Sequence, residues 1–387
     1  MQEIYFRAAT PVVITESLAE SVVNHLETIA GKRVLIIVDR NVAKHPNVSD
    51  LNEQLAKKWE VLMYPVDACE PDTDTVDFHV DQLVQNKPDI IIGVGGGSCL
   101  DLAKAVSVLL CNPGPAANYQ GWGLIKRPGI YKIMIPTTAG TGSEVTPGAV
   151  VINHATKRKG AIGSPFIFPD CSFLDASLTL TLPLGLTVTS GMDALSHAVE
   201  SYSGKKENPI AKACARESFR LLANALPKVF SDPGNMHLRR NILVGSTLAG
   251  YAIYNLDTGA AHSLSYALGT ELGVPHSLAI AMLLPKVMQH NFMKGIIIPY
   301  SELYDCAFHD SNNCTDADKA VKLVDFISSL PPAGSLPLNL SQFHKQDITL
   351  VYLAEKCLML KTALANNPVD FGNDDAMRIL HSLGFVK

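Results

Sequence analysis

The run DIIIGVGGGS, residues 89–98, constrains this chain more than any other segment. Its consecutive apolar residues are too few for a buried helix and read as a strand covered on both faces. Such a strand requires helices on either side of a sheet. The strand then runs into glycines at 93, 95, 96 and 97, which let backbone N–H groups approach an anion with no Cβ in the way. A helix led by Asp101 and Lys104 opens immediately afterwards and adds unpaired amides and a positive dipole end. A pyrophosphate suits such a turn, with Gly95, Gly96, Gly97 and Ser98 as its contacts. The run departs from the GxGxxG dinucleotide fingerprint, because Ser98 takes the last position, where it can cap the helix. The competing interpretation is a tight strand-to-helix turn with no ligand.

The rest of the first half repeats this alternation. RVLIIVD (33–39), WEVLMYPV (59–66) and IYKIMIPTT (130–138) are strand-like, and helical spacing appears over 16–29, 75–85 and 100–110. Alternating strands and helices predict a parallel, doubly wound sheet with right-handed crossovers. Asp39 ends the first strong strand, where a carboxylate accepts hydrogen bonds from ribose hydroxyls and repels a 2′-phosphate, favouring NAD over NADP. A second turn, PTTAGTGSE (136–144), offers hydroxyls and glycines as a polar wall for a ribose or phosphate.

After Leu182-Pro183 the pattern changes to helices. Residues 213–226 carry one apolar face, and 239–256 are apolar over most of the circumference, as in a buried helix. The sequence therefore predicts an α/β dinucleotide-binding domain over 1–182 and an all-α metal-binding domain over 183–387. A cleft between them would be the default ligand site.

Composition bears mainly on compartment and partners. Lys+Arg 32 against Asp+Glu 37 gives a net charge of −5, with no general attraction to nucleic acid or anionic membrane. No apolar run reaches the roughly 20 residues that span a bilayer. The N-terminus lacks the basic head and apolar core of a signal peptide. Eight scattered cysteines without a CxxC pair read as reduced thiols of a cytoplasmic protein.

The helical half carries GMDALSHAVE, residues 191–200, in which Asp193 and His197 project from one helix face about a turn apart. His262 and His276 follow in GAAHSLSYALGTELGVPHS; the first sits in helical sequence, and the second follows Pro275 and begins the next helix. One carboxylate with three imidazoles suits a divalent ion: Fe(II), Zn(II), or less readily Mn, Ni or Co. Each histidine taken alone reads more simply as a hydrogen-bonded core residue.

GGGSCLDLAK (95–104), PTTAGTGSEVT (136–146), LPLGLTVTSGMDALSHAVES (182–201) and VPHSLAIAMLLP (274–285) together resemble the iron-containing (group III) alcohol dehydrogenase family, in order and spacing and over nearly the whole chain. The resemblance implies a dinucleotide domain, a helical domain, a metal in the cleft and a homodimer or higher oligomer. Carried onto matching positions, it makes Asp193, His197, His262 and His276 the metal ligands. It gives the NAD site Asp39, Thr138, Thr141 and Lys159 besides the glycine turn. One position departs from the family pattern. The family commonly reads H-x-x-x-H-P-L-G, whose second histidine lies beside the substrate and is often proposed as proton relay, whereas here Tyr266 and Ala267 stand for that His and the Pro. A phenol with a pKa near about 10 is a poor general base at pH 7. Either protons leave through water and ribose hydroxyls, or the substrate differs from the short alcohols.

The reaction so implied is hydride transfer between an alcohol carbon and nicotinamide, with the ion lowering the alcohol's pKa. The basic triplet Lys157-Arg158-Lys159 would favour an anionic substrate if it reaches the cleft mouth. The chain is also similar in general look to the branch that oxidises the terminal hydroxyl of 3-deoxy-manno-octulosonate, a sugar acid of lipopolysaccharide biosynthesis. Short-chain alcohol or lactaldehyde reduction is the main alternative. A redox-neutral lyase resembling dehydroquinate synthase and a non-catalytic metal and nucleotide sensor are rivals from other classes.

Overall fold

In the computed structural model, residues 3–385 are described except 68, 157, 309–313, 333, 335 and 344–346; Lys157 of the basic triplet thus lies outside the described residues. Ala8–Leu182 forms one compact unit, and the chain on either side of it, up to Arg7 and from Pro183 onward, forms the other.

The first unit contains strands β1 (Val12–Ile14), β2 (Arg33–Asp39), β3 (Glu60–Val66), β4 (Ile90–Gly95), β5 (Gly121–Trp122), β6 (Tyr131–Pro136), β7 (Gly148–Asn153), β8 (Arg158–Gly163) and β9 (Cys171–Leu174). Six of them pair in parallel in the order β1-β9-β6-β4-β2-β3. Helices α1 (Leu18–Leu26) and α2 (Pro46–Ala56) cover one face, and α3 (Thr73–Leu83) and α4 (Gly97–Leu109) the other. The run VLIIV explains why both layers are needed. Val34, Ile36 and Val38 turn to the α1–α2 side and Leu35 and Ile37 to the α3–α4 side, all fully buried. Each such side chain contributes about 1.5–3 kcal/mol over an exposed one, so β2 holds both layers at once. The expected doubly wound α/β sheet is the one observed.

Strand order fixes where a ligand belongs. From β2 the chain passes to β3 on one side, then crosses back to lay β4 on the other side of β2. Open α/β sheets take their ligands at the carboxyl ends of the strands where the order so reverses. Here those ends are Asp39 and Gly95.

A second, three-stranded sheet combines β5 with the antiparallel pair β7–β8, which the sequence reading does not anticipate. Two residues of α4 bind its approach. The Lys104 ammonium, wholly buried, donates to the carbonyls of Ser143 (2.9 Å), Thr146 (3.3 Å) and Gly148. Asp101 accepts from Ser143 Oγ at 2.5 Å and from Val150 N at 3.0 Å. The second glycine-rich turn is thereby fastened to the helix that starts at the first.

The other unit is helical: α5 (Leu184–Ser203), α6 (Pro209–Val229), α7 (Met236–Leu256), α8 (Ala260–Ala267), α9 (His276–Met293) and, among the described residues, five further helices. Gly191 lets α5 lie close to α6, since a Cβ there would stand 2.3 Å from Leu226 Cδ2. The stretch ahead of Ala8 belongs to this unit: Arg7 N donates to Asn255 Oδ1 at 2.8 Å, and Asn208 Nδ2 donates to Tyr5 O at 3.0 Å. Among the described residues no helix is long and apolar enough to cross a membrane.

Candidate functional site

Helix α5 presents Asp193, His197 and Glu200 on one buried face, as spacings of four and three residues dictate. His262 comes from the first turn of α8 and His276 is the first residue of α9. Around Asp193 Oδ1 stand His276 Nε2 at 3.6 Å, His262 Nε2 at 3.7 Å and His197 Nε2 at 3.9 Å. The imidazoles of His197 and His262 stack with centroids 4.6 Å apart. Donor atoms of Asp193, His262 and His276 all lie within 4.8 Å of one another.

These separations are too long for hydrogen bonds. They are near the about 3.4 Å between two donors that share one tetrahedral ion at about 2.1 Å each. Among the described residues Asp193 Oδ1 and His262 Nε2 are buried with no hydrogen-bond partner. An orphaned buried carboxylate oxygen is costly, and a cation between these atoms would remove the cost. The structure brings the four sequence-predicted ligands together, and Asp193, His262 and His276 lie close enough to share a divalent ion, with His197 Nε2 beside them. Burial alone would raise the Asp193 carboxyl, but the imidazoles of His197, His276 and His262 hold it well below the usual carboxylate range. Burial would lower His262, yet Glu200 and Asp193 together push it up to about 9.

Two side chains that the sequence reading does not single out set the imidazole tautomers. Glu200 Oε2 lies 2.5 Å from His262 Nδ1. A carboxylate only accepts, so Nδ1 carries a proton and Nε2 is the nitrogen that faces Asp193, where an ion taking the place of its proton would find the lone pair. Ser265 Oγ donates to His262 O at 2.8 Å, which leaves its lone pair for His276 Nδ1 at 3.2 Å. The signal for Glu200 was present in the sequence, since it stands seven residues after Asp193 and three after His197. Tyr266, on α8, sets its ring edge-on to His276, with centroids 5.8 Å apart at 85°.

In the α/β unit the glycine turn is tightly packed. A Cβ at Gly95 would lie 2.6 Å from Cys99 Cβ and 3.1 Å from Asp39 Cβ, one at Gly96 3.2 Å from Thr138, and one at Gly97 2.6 Å from Thr141 Cγ2. Asp39, the three glycines, Thr138 and Thr141 thus form one group at the reversal of strand order. Ser98, which from its place in the sequence can cap the helix, does not do so: α4 begins at Gly97, its N-cap is Gly96, and no side chain caps it. The glycines carry the chain into the helix one residue earlier, leaving the first amides of α4 for an anion. Asp39 Oδ1 accepts from Asn41 N at 2.9 Å and from Asn41 Nδ2 at 3.1 Å. Lys159 lies on β8 with its Nζ 2.5 Å from Glu70 Oε1.

An α/β unit with a glycine turn at the reversal of its sheet, joined in one chain to a helical unit with a buried acid-and-imidazole centre, is the plan of a cofactor-using metalloenzyme. The model of "Iron-containing alcohol dehydrogenase" matches residues 9–176, and that of "Fe-containing alcohol dehydrogenase family, C-terminal" matches residues 187–384. The chain belongs to the iron-containing alcohol dehydrogenase family and is an oxidoreductase acting on alcohols. It is similar to a sulfoacetaldehyde reductase of Bilophila wadsworthia, 30% identical over 93% of this chain and 93% of the relative. It is also similar to an NAD-dependent methanol dehydrogenase of Bacillus methanolicus, 32% identical over 73% of this chain and 74% of the relative. The crystal structure of a 1,3-propanediol oxidoreductase superposes with a TM-score of 0.91 at 26% identity, over 99% of this chain and 100% of that one.

Proposed function

We propose that this oxidoreductase exchanges hydride between a primary alcohol carbon and NAD, using one divalent ion, Fe(II) or Zn(II), held by Asp193, His197, His262 and His276. The observation that carries the proposal is the pair of buried, unpartnered atoms Asp193 Oδ1 and His262 Nε2. An ion bound there would polarise the alcohol oxygen and lower its pKa toward neutrality. Asp193 supplies the anionic charge among three imidazoles, and Glu200 and Ser265 keep the Nε2 lone pairs of His262 and His276 available. In the α/β unit the turn at Gly95 and Gly96 and the uncapped first amides of α4, at Gly97 and Ser98, would donate to the pyrophosphate. Asp39 would take the ribose and disfavour a 2′-phosphate, with Thr138, Thr141 and Lys159 along the rest of the cofactor. The name of the Bacillus relative supports NAD as the partner. In this reading residues 1–182 serve the nucleotide and 183–387 the metal, and the enzyme works in the cytoplasm as a homodimer or larger homo-oligomer.

The relatives named above are named for small alcohols and aldehydes, which supports a small primary alcohol or its aldehyde. A sugar acid such as 3-deoxy-manno-octulosonate would need free cations, and the engagement of Lys159 by Glu70 weakens that case. The test is to strip the protein of metal, restore Zn(II) or Fe(II) separately, add NAD and follow NADH absorbance. The panel holds short alcohols, diols, lactaldehyde's diol and 3-deoxy-manno-octulosonate. NADH formation with the small alcohols, dependent on the ion, is the expected result. Silence across the panel with NAD and metal both bound would overturn the small-alcohol assignment and point to a substrate outside the panel.

A further inference from the structure

We infer that Glu200 is the positioning residue of the metal centre, a double acceptor that fixes both the helix carrying His262 and the imidazole nitrogen His262 offers to the ion. The inference rests on the metal ligation proposed above. Helix α8 is only eight residues long, and no side chain at its own N-cap, Gly259, satisfies its first amides. Two buried side chains do so from elsewhere in the unit. Asn367 Oδ1 accepts from Ala260 N at 3.3 Å, and Glu200 Oε1 accepts from Ala261 N at 2.7 Å. The other oxygen of Glu200 takes His262 Nδ1 at 2.5 Å. One carboxylate thus sets the place of the helix and the tautomer of its ligand together.

Its surroundings are built to this shape. Gly259 carries no side chain where a Cβ would stand 2.8 Å from Glu200 Oε1 and 3.3 Å from Asn367 Oδ1. Asn367 is held in turn by Asn291, whose Oδ1 accepts from Asn367 Nδ2 at 3.2 Å, and by the Val369 carbonyl, which accepts at 2.9 Å. Glu200, Asn291 and Asn367 are all buried.

Both partners of Glu200 are donors, so only a side chain with two acceptor oxygens serves both. In Glu200→Gln either the tautomer of His262 changes or one contact fails. If the amide NH2 faces Nδ1, the neutral imidazole carries its proton on Nε2 and loses the lone pair aimed at Asp193. If the amide oxygen faces Nδ1, the NH2 is pressed against Ala261 N–H. Glu200→Asp keeps two acceptors on a shorter arm.

The test is titration of metal-stripped protein with Zn(II), and with Co(II) read by its visible ligand-field bands, on wild type, Glu200→Gln, Glu200→Asp and His262→Ala. Expected are about 10–100-fold weaker binding and altered Co(II) bands in Glu200→Gln, with Glu200→Asp intermediate in affinity and close to wild type in spectrum. Wild-type affinity and bands in Glu200→Gln, with binding lost in His262→Ala, would overturn the positioning role and leave the metal reading intact. Wild-type binding in His262→Ala would overturn the metal reading and this inference with it. If Glu200→Gln does not fold, Glu200→Asp decides, since equal affinity to wild type in that variant refutes the dependence on reach.

Discussion

Lys104 Nζ lies 3.0 Å from Asp101 Oδ1, and the two side chains, one turn apart on α4, hold successive points of the segment from Ser143 to Val150. A wholly buried ammonium is expensive, and burial pulls its pKa down against the nearby Asp101 charge. It is retained because three carbonyls and one carboxylate surround it. Replacing Lys104 by Met should therefore cost about 3–5 kcal/mol, as when one partner of a buried pair is removed. Urea unfolding followed by circular dichroism measures this. A loss under about 1 kcal/mol would show that water takes the place of the ammonium.

What the sequence disclosed depended on how much each element relies on its own residues. β2, β4 and β6 are buried on both faces, so their composition alone announces them, and the helices of the acid-and-imidazole centre follow from spacing. β7 and β8 escaped because Gly148, Gly160 and Gly163 dilute their pattern and because α4 supplies contacts that hold β7, on which β8 pairs. β1 and β9, three and four residues long, are strands mainly by virtue of their neighbours. Ser98 misled for a related reason: a serine at a helix start looks like a cap, but the glycines before it already begin the helix. Glu200 was legible as part of a face and illegible as a partner of His262, a residue 62 positions away.

Asp89 ties the start of β2 to the start of β4. Its Oδ2 accepts from Lys32 N and from Arg33 N, each at 2.9 Å, and these amide bonds hold its carboxyl below the usual range. A depressed carboxyl contributes stability above its unfolded pKa, about 3.9, and loses it as pH falls through the folded value. Asp89→Asn keeps an acceptor but not the charge. The melting temperature of the variant should lie below that of wild type by a constant gap from pH 7 to about 5, and the gap should close below about pH 4. A gap that persists unchanged in acid would assign the effect to shape rather than charge.

Gly95 separates the two candidate sites experimentally. A Cβ there meets Cys99 Cβ, which sits on the first turn of α4 and cannot swing aside as a side-chain end could. Gly95→Ala should push the start of α4 off β4 and weaken NAD binding at least about tenfold, or about 1.4 kcal/mol. Co(II) affinity should stay within about twofold, since a helix start in the α/β unit is not among the ligands. Calorimetric titration with each ligand checks both halves. Unchanged NAD affinity would mean that the glycines serve packing alone.

Tyr266 raises the question of where the alcohol proton goes. Its ring stands edge-on to His276, so it adjoins the centre. A well-matched general base is worth about 10²–10⁴-fold in rate. If protons leave through water and the ribose hydroxyls, Tyr266→Phe should keep the Co(II) spectrum and lose less than about tenfold in kcat, with KM carrying any larger change. If kcat falls by about a hundredfold or more while metal binding is unchanged, the phenol itself carries the proton. The pH profile then separates a direct role from an indirect one: removing a proton carrier deletes a limb of the kcat profile, whereas removing a hydroxyl that only shapes the pocket shifts kcat/KM at every pH by the same factor.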